Sequence, residues 1–227
     1  MTTIAILLYP QVTQLDLTGP YEVFCRCPDT QVHLVWKDRG PVITEHGLTM
    51  LPTTTFDELP AADVLCVPGA GQGVHALLQD QDTLAYVRQV ARGARYVSSV
   101  CTGSLVLGAA GLLKDRKATT HWSSMHLLAE FGAIATPGRV VQDGRFITGG
   151  GVTAGIDFAL TMVAALHGDA VAQAIQLGIE YNPAPPFNAG HPDVAPIELV
   201  ELVKQRLSHR LNERLRLVRQ AAQAITL

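Results

Sequence analysis

The stretch Tyr96 to Leu113, YVSSVCTGSLVLGAAGLL, constrains the fold most, because it runs a short β-branched segment straight into an apolar helical one with a cysteine at the junction. Tyr96 to Val100 has the small and β-branched content of a buried strand. From Thr102 onward apolar residues fall on nearly every side, which places the helix inside the molecule. Ser99 lies two residues before Cys101 and Gly103 two after, close to the small-x-nucleophile-x-small spacing of a hydrolase elbow. On such a turn the helix aims its first N–H groups and the positive end of its dipole at the sulfur, favouring thiolate. The competing reading is a free cysteine buried as a small hydrophobe. Strand end, helix start and small neighbours are conditions for reactivity and not for packing, so Cys101 is the candidate nucleophile.

The rest of the chain repeats this alternation. Thr3 to Leu8 reads as a central parallel strand, and Gly19-Pro20 as the opening of a helix. Gln31 to Trp36 is a strand nearer an edge, Pro41 to Thr55 a pair of short strands or an extended excursion with Gly47 at the turn, and Val64 to Pro68 another buried strand. Val74 to Gly93 is helical with a break near Asp80 to Asp82. Lys117 to Thr120 reads as a strand, Trp122 to Phe131 as a helix, and Arg139 to Thr148 as a hairpin turned by Asp143-Gly144. Gly149, Gly150 and Gly151 lead to a helix over Ala154 to Leu166, a second strand-to-helix turn expected to wall the same pocket. Asp169 to Tyr181 is helical, Asn182 to Pro196 is a proline-rich loop, and Ile197 to Ile225 is a charged amphipathic helix.

The chain has 227 residues, enough for one generous α/β domain spanning 1–227 and closed by the C-terminal helix at about 197–225. Hydrophobic residues make up 48% and charged residues 16%, with no uncharged run able to span a bilayer. MTTIAILLYP lacks a basic flank and suits a first core strand, so a cytoplasmic location without membrane contact is expected. A formal charge of -3 argues against a nucleic-acid partner, and the basic residues near the C-terminus are mixed with Glu as on a solvated or subunit-facing helix. Cys25, Cys27 and Cys66 read as structural; a lone C-x-C makes no zinc site, and no metal is expected.

Ligands of open α/β sheets bind outside the carboxyl ends of strands. Asp16, between two leucines just past the first strand, is at that end. It is either a desolvated carboxyl with a raised pKa, able to give up a proton, or a helix cap. Gly69, Ala70 and Gly71 follow a strand and begin a glycine loop that lacks the acidic ribose partner and the Lys-Ser/Thr of nucleotide sites. Their N–H groups are candidate donors opposite Cys101. His121 either faces the pocket or is a packed strand-end residue, and His191-Pro192-Asp193 sits in the proline-rich loop, which leaves no confident base for a Cys-His triad.

The elbow Val100-Cys101-Thr102-Gly103-Ser104, the loop Asp16-Leu17-Thr18-Gly19-Pro20, Thr120-His121-Trp122 and Gly149-Gly150-Gly151 together resemble the ThiJ/PfpI branch of the glutamine amidotransferase-like superfamily, and within it the isocyanide hydratases. The resemblance extends to the Pro185-Pro186-Phe187-Asn188-Ala189-Gly190 loop. It implies a flavodoxin-like parallel sheet sandwiched between helices, a homodimer and no cofactor. Protease-like members carry histidine directly after the cysteine; here Thr102 stands there, as in the hydratases, which pair the cysteine with an aspartate matching Asp16. The implied activity is addition of water to a small-molecule isocyanide, giving an N-substituted formamide through a Cys101 thioimidate. Asp16 would be general acid/base and Thr102 a contact near the sulfur; Gly69, Ala70, Gly71, Gly150 and His121 would bind substrate or stabilise the intermediate. Another cysteine-dependent hydrolase, a redox sensor oxidising Cys101, and a ligand sensor like those of AraC-type regulators are the alternatives. After Pro196 only one long helix remains, too little for a pair of helix-turn-helix units.

Overall fold

The computed structural model describes residues 1–225. β1 (Thr2–Leu7) leads through α1 (Gln14–Phe24) to β2 (Thr30–Trp36). β3 (Val42–Ile43) and β4 (Thr49–Met50) pair as a small antiparallel hairpin with Gly47 at φ 86°, and β5 (Thr54–Thr55) returns to the sheet edge beside β2. β6 (Val64–Val67), α2 (Gly73–Leu77), α3 (Gln81–Gly93), β7 (Tyr96–Val100) and α4 (Gly103–Ala109) follow. β8 (Lys117–Ala118), a 3-10 helix (Trp122–Phe131) and β9 (Ile134–Ala135) precede the hairpin of β10 (Val140–Asp143) and β11 (Phe146–Gly149). The described chain closes with α5 (Ala154–His167), α6 (Asp169–Gly178) and α7 (Ile197–Ile225).

The main sheet runs β10-β11-β7-β6-β1-β2-β5 and is parallel throughout except for β10 against β11. With the two-residue edge strand β5 set aside and the rest numbered in turn, the parallel strands β1, β2, β6, β7 and β11 stand in the order 2-1-3-4-5, which is the flavodoxin-like doubly wound arrangement, and the order reverses between β1 and β6. The central strands are buried almost without interruption, as their continuous apolar runs require when both faces of a sheet are covered. α1 packs on α5 and α5 on α6; α4 packs on α2, α3, α7 and the 3-10 helix. No helix among the described residues is long and apolar enough to cross a membrane.

Three local expectations are corrected. The first helix begins at Gln14 and not at Gly19-Pro20, so Pro20 sits mid-helix. There it lacks the N–H that would bond the Asp16 carbonyl. Contact with α5 sustains it: a Cβ on Gly155 would lie 3.2 Å from Pro20 Cδ, so the two helices meet where one has no side chain. The Lys117–Thr120 strand covers only β8, which pairs with β9 outside the main sheet. Beyond it, side chains replace the ladder: Thr148 Oγ1 accepts from Thr119 N–H at 2.9 Å, and the Thr119 and Thr120 hydroxyls donate to the Gly138 and Cys101 carbonyls. The helix from Asp169 ends at Gly178, and Glu180 turns the chain at φ 51°.

Candidate active site

Neighbouring parallel strands deliver the site to one edge of the sheet. β1 is followed by Asp16, β6 by Gly69 to Gly71, β7 by Cys101, and β11 by Gly150 to Val152. Asp16 and the glycine loop flank the point where strand order reverses, the position at which such sheets bind ligands.

Cys101 sits on an abrupt strand-to-helix turn with φ 55°, a left-handed conformation that costs a non-glycine residue free energy. Its N–H is shared between the Gly149 and Gly150 carbonyls at 3.0 and 2.9 Å, and its carbonyl accepts from the Thr120 hydroxyl at 2.8 Å and the Ser104 hydroxyl at 3.2 Å. These bonds over-determine the turn. Gly103 allows it to close, because a Cβ there would come within 1.9 Å of the Val67 carbonyl oxygen.

Asp16 lies in the first turn of α1, fully buried, and does not cap the helix; Thr13 holds that position, its side chain making no bond to the helix N–H groups. The carboxyl instead turns to the sheet edge. Oδ2 accepts from Gly69 N–H at 3.1 Å, and Oδ1 is buried without a nitrogen or oxygen partner among the described residues. The group beside the carboxyl is the Cys101 thiol, with which it interacts directly. Burial raises the Asp16 carboxyl to about 7, against opposing contributions from the Cys101 thiol and Gly69 N–H. Burial also pushes the Cys101 thiol up, and the nearby Asp16 charge pushes it further; the Val152 and Thr102 N–H groups act in the opposite sense. This reverses the sign expected from the helix dipole alone. α4 is only seven residues long and its N-terminus is buried with the sulfur, so desolvation outweighs it. Above about pH 7 the two groups therefore share one proton, and moving it from sulfur to carboxylate makes a nucleophile and an acid together.

The donors expected from the glycine loop are engaged elsewhere. Gly69 N–H holds Asp16, Ala70 N–H donates to Thr102 Oγ1 at 2.9 Å, and Gly71 N–H donates to Glu45 Oε2 at 3.2 Å. The Thr102 hydroxyl donates back to the Ala70 carbonyl at 2.8 Å, so it latches the elbow to the loop and has no proton left for a ligand. Gly150 N–H likewise donates to the Arg139 carbonyl at 2.8 Å, while its carbonyl holds the elbow. These residues fix the site's shape; the N–H groups directed at sulfur belong to Thr102 and Val152. A Cβ at Gly69 would lie 2.5 Å from Thr102 N and 2.8 Å from Asp16 Oδ2, which explains the absence of a side chain there.

A cavity of about 300 Å³ opens over Cys101, lined also by Ala70, Gly71, Thr102, His121 and Val152. His121 caps the 3-10 helix: Ser123 N–H points at its Nδ1 at 3.3 Å and Ser123 Oγ lies 2.8 Å away. Burial and the charges of Arg214 and Arg210 lower the imidazole to about 4, so it is neutral at neutral pH. It touches the cavity but is not at a strand end, contrary to expectation. His191 pairs with Asp193 at 3.3 Å in a neighbouring groove and is not among the residues around Cys101. Cys66 and Cys27 are buried, with thiols pushed up to about 12 and about 11 by desolvation, as structural residues require; Cys25 is exposed at the end of α1.

Sequence reasoning missed Val152, Glu45, Arg210 and Arg214. Val152 follows three glycines and carries φ 22°. Glu45, from the excursion before β4, accepts from Thr13 Oγ1 at 2.8 Å and pairs with Arg210 of α7 at 3.2 Å. The signal for Arg214 was present: it stands on the stripe formed by Leu217, Val218 and Ala221, where a charge is out of place unless it has buried partners.

The chain matches the model of the DJ-1/PfpI family over residues 2–165. It is 54% identical over 224 residues to the isonitrile hydratase of Pseudomonas putida, covering 99% of this chain and 98% of that one. A crystal structure of a ThiJ/PfpI family protein from Pseudomonas syringae superposes with a TM-score of 0.92 at 42% identity, over 97% of this chain and 90% of that one. A DJ-1 superfamily protein from Salmonella typhimurium gives 0.71 at 28% identity, over 81% of this chain and all of the other (100%). With its buried Asp16–Cys101 pair on the carboxyl edge of a 2-1-3-4-5 sheet, this chain belongs to the DJ-1/PfpI family.

Proposed function

We propose that this chain is an isocyanide hydratase. The observation that carries the reading is the buried Asp16–Cys101 pair, which provides a nucleophile and a proton without a histidine base, together with 54% identity over nearly the full length to an isonitrile hydratase. An isocyanide has no leaving group, and its terminal carbon takes up both a nucleophile and a proton. The thiolate forms a C–S bond to that carbon, and the Asp16 proton moves to the same carbon, giving a thioimidate. Asp16, now a carboxylate, takes a proton from water as the hydroxide adds to the carbon, and the nitrogen receives that proton. The hydroxyl proton then returns to Asp16 as the C–S bond breaks, releasing an N-substituted formamide and restoring the pair. The Val152 and Thr102 N–H groups stabilise the sulfur anion before attack and after release.

The test is formamide production from cyclohexyl isocyanide by the wild type beside Cys101→Ala, with trapped protein followed by intact mass. Turnover lost in the variant, and an adduct of substrate mass on Cys101 of the wild type, are the expected results. Turnover retained by Cys101→Ala would overturn the reading. The rate should rise with pH through about 7, because below it both members of the pair are protonated and no thiolate is available. We further propose a cytoplasmic homodimer. Exposed apolar side chains along the first half of α7, Ile197, Leu199, Leu202 and Val203, support a subunit contact there, which sedimentation would check.

A further inference from the structure

α7 divides into two unlike parts. Its first half exposes apolar and charged side chains, whereas its last third packs onto the domain through Leu217, Val218 and Ala221 and carries Arg214 inward with them. Arg214 is only 2% exposed. Every hydrogen-bond acceptor around its guanidinium is neutral: Ser124 Oγ at 2.9 Å, His75 Nε2 at 3.3 Å, the Ala70 carbonyl at 3.4 Å and the Gly71 carbonyl. His75 accepts at Nε2, so it is the Nδ1–H tautomer facing Glu213 at 3.5 Å, and burial with the neighbouring guanidinium lowers its pKa. A buried cation whose direct partners carry no charge is balanced by the anions within its reach. Arg214 and Cys101 line the same 300 Å³ cavity.

The two carbonyls that Arg214 holds belong to the loop that organises the catalytic pair. Ala70 is doubly bonded to Thr102, and Gly69, one residue earlier, supplies the N–H on Asp16. We propose that Arg214 is a positioning residue and the resident cation of the site: its guanidinium clamps the 69–71 loop by its carbonyls and supplies the positive charge against which the Cys101 thiolate forms. Removing the charge while keeping the polarity raises the pH at which sulfur becomes reactive; keeping the charge but losing the planar fork loosens the loop. Burial, then the neighbouring Arg210 charge, lower Arg214 to about 10, and among the interactions that hold it up the Cys101 charge comes first, ahead of Tyr9 and Glu45. The groups facing the sulfur and the guanidinium are Asp16 on α1, Tyr9 after β1, Glu45 before β4, His75 on α2, His121 on the 3-10 helix, and Arg210 and Glu213 on α7.

The test measures iodoacetamide alkylation of Cys101 against pH, in the wild type, Arg214→Gln, Arg214→Lys and the surface control Arg219→Gln on the same helix. Alkylation needs no isocyanide, so this inference rests on the Asp16–Cys101 pair and stands or falls separately from the hydratase reading. In Arg214→Gln the midpoint is expected to rise by about one pH unit and the rate at pH 7 to fall about tenfold. Arg214→Lys should keep the wild-type midpoint while kcat on isocyanide, or the plateau alkylation rate if no substrate turns over, falls severalfold. Arg219→Gln should change neither. A folded Arg214→Gln protein with the wild-type midpoint overturns the proposal. If that variant does not fold, Arg214→Lys decides: wild-type rates throughout, or a raised midpoint, overturn it.

Discussion

Two strand-to-helix turns lie side by side in this molecule, and they solve the same geometric problem differently. β7 enters α4 through Cys101 and Thr102, while its parallel neighbour β11 enters α5 through Gly150, Gly151, Val152 and Thr153. Each has one non-glycine residue at positive φ, Cys101 at 55° and Val152 at 22°. The first turn places its only strained residue where a side chain must be presented. The second has glycines at hand, yet puts the strain on a β-branched residue whose N–H points at the sulfur. Its glycines serve close approach instead: a Cβ on Gly151 would lie 2.7 Å from the His121 ring. Strain is kept where an atom must be aimed, and glycine is used where two segments must meet.

The largest effect separates the two turns directly. Cys101→Ala should lower isocyanide turnover by about 10⁴-fold or more, since the covalent step has no substitute. Val152→Gly keeps an N–H and relieves the positive φ, so kcat/KM should fall no more than about tenfold while stability changes by less than about 1 kcal/mol. Equal losses in steady-state kinetics would break the distinction between presenting a side chain and aiming an N–H.

Asp16→Asn comes next, with a fall of about 10²–10⁴-fold in kcat/KM. Its stability should move the other way. The folded carboxyl, at about 7, lies above its ordinary value of 3.8, so wild type loses stability as pH rises between those values while the folded protein alone retains the proton. Asn carries no such cost. Thermal melts should therefore show Asp16→Asn above wild type at pH 8, with the gap closing near pH 4. A variant less stable than wild type at pH 8 would mean that the carboxylate is welcomed rather than tolerated at this edge.

Thr102→Val removes the latch between the Cys101 turn and the Ala70 backbone, leaving the buried Ala70 N–H without its acceptor and the Ala70 carbonyl with only the longer bond from Arg214. The expected cost is about 1–3 kcal/mol in chemical denaturation, with a smaller loss of activity. The least effect is expected from His121→Asn, which keeps a helix-capping side chain: kcat should change less than about threefold. A loss of several orders of magnitude there would make the imidazole the missing base and give the second turn, through Gly151, a direct part in chemistry.

The alternation of buried strands and helices was readable because a parallel sheet covered on both faces needs continuous apolar runs, as in Ile4 to Leu8 and Val64 to Val67. Cys101 was readable because a tight turn from strand to helix demands small neighbours, and Gly103 is needed there on contact grounds. Asp16 was readable as a carboxyl at the carboxyl edge, though not its choice between capping and facing the sulfur. That choice depends on α1 starting at Gln14, which local preference for proline in a first turn conceals. The glycine loop was read as a row of free donors. Whether an N–H is free depends on what stands opposite, and Asp16, Thr102 and Glu45 come from 53, 32 and 26 residues away.

The amino-acid sequence by itself determined the alternation of buried strands and helices and placed Cys101 and Asp16 just past strand ends, because these follow from periodicity and residue type; the flavodoxin-like sheet and the pairing of the two side chains were what the family resemblance implied. Only the tertiary structure decided the sign of the thiol's shift, the engagement of the loop donors and the role of Arg214. Each of these depends on burial and on partners distant along the chain: desolvation outweighs a short helix dipole, and a guanidinium 144 residues beyond Ala70 closes the site that the sheet edge begins.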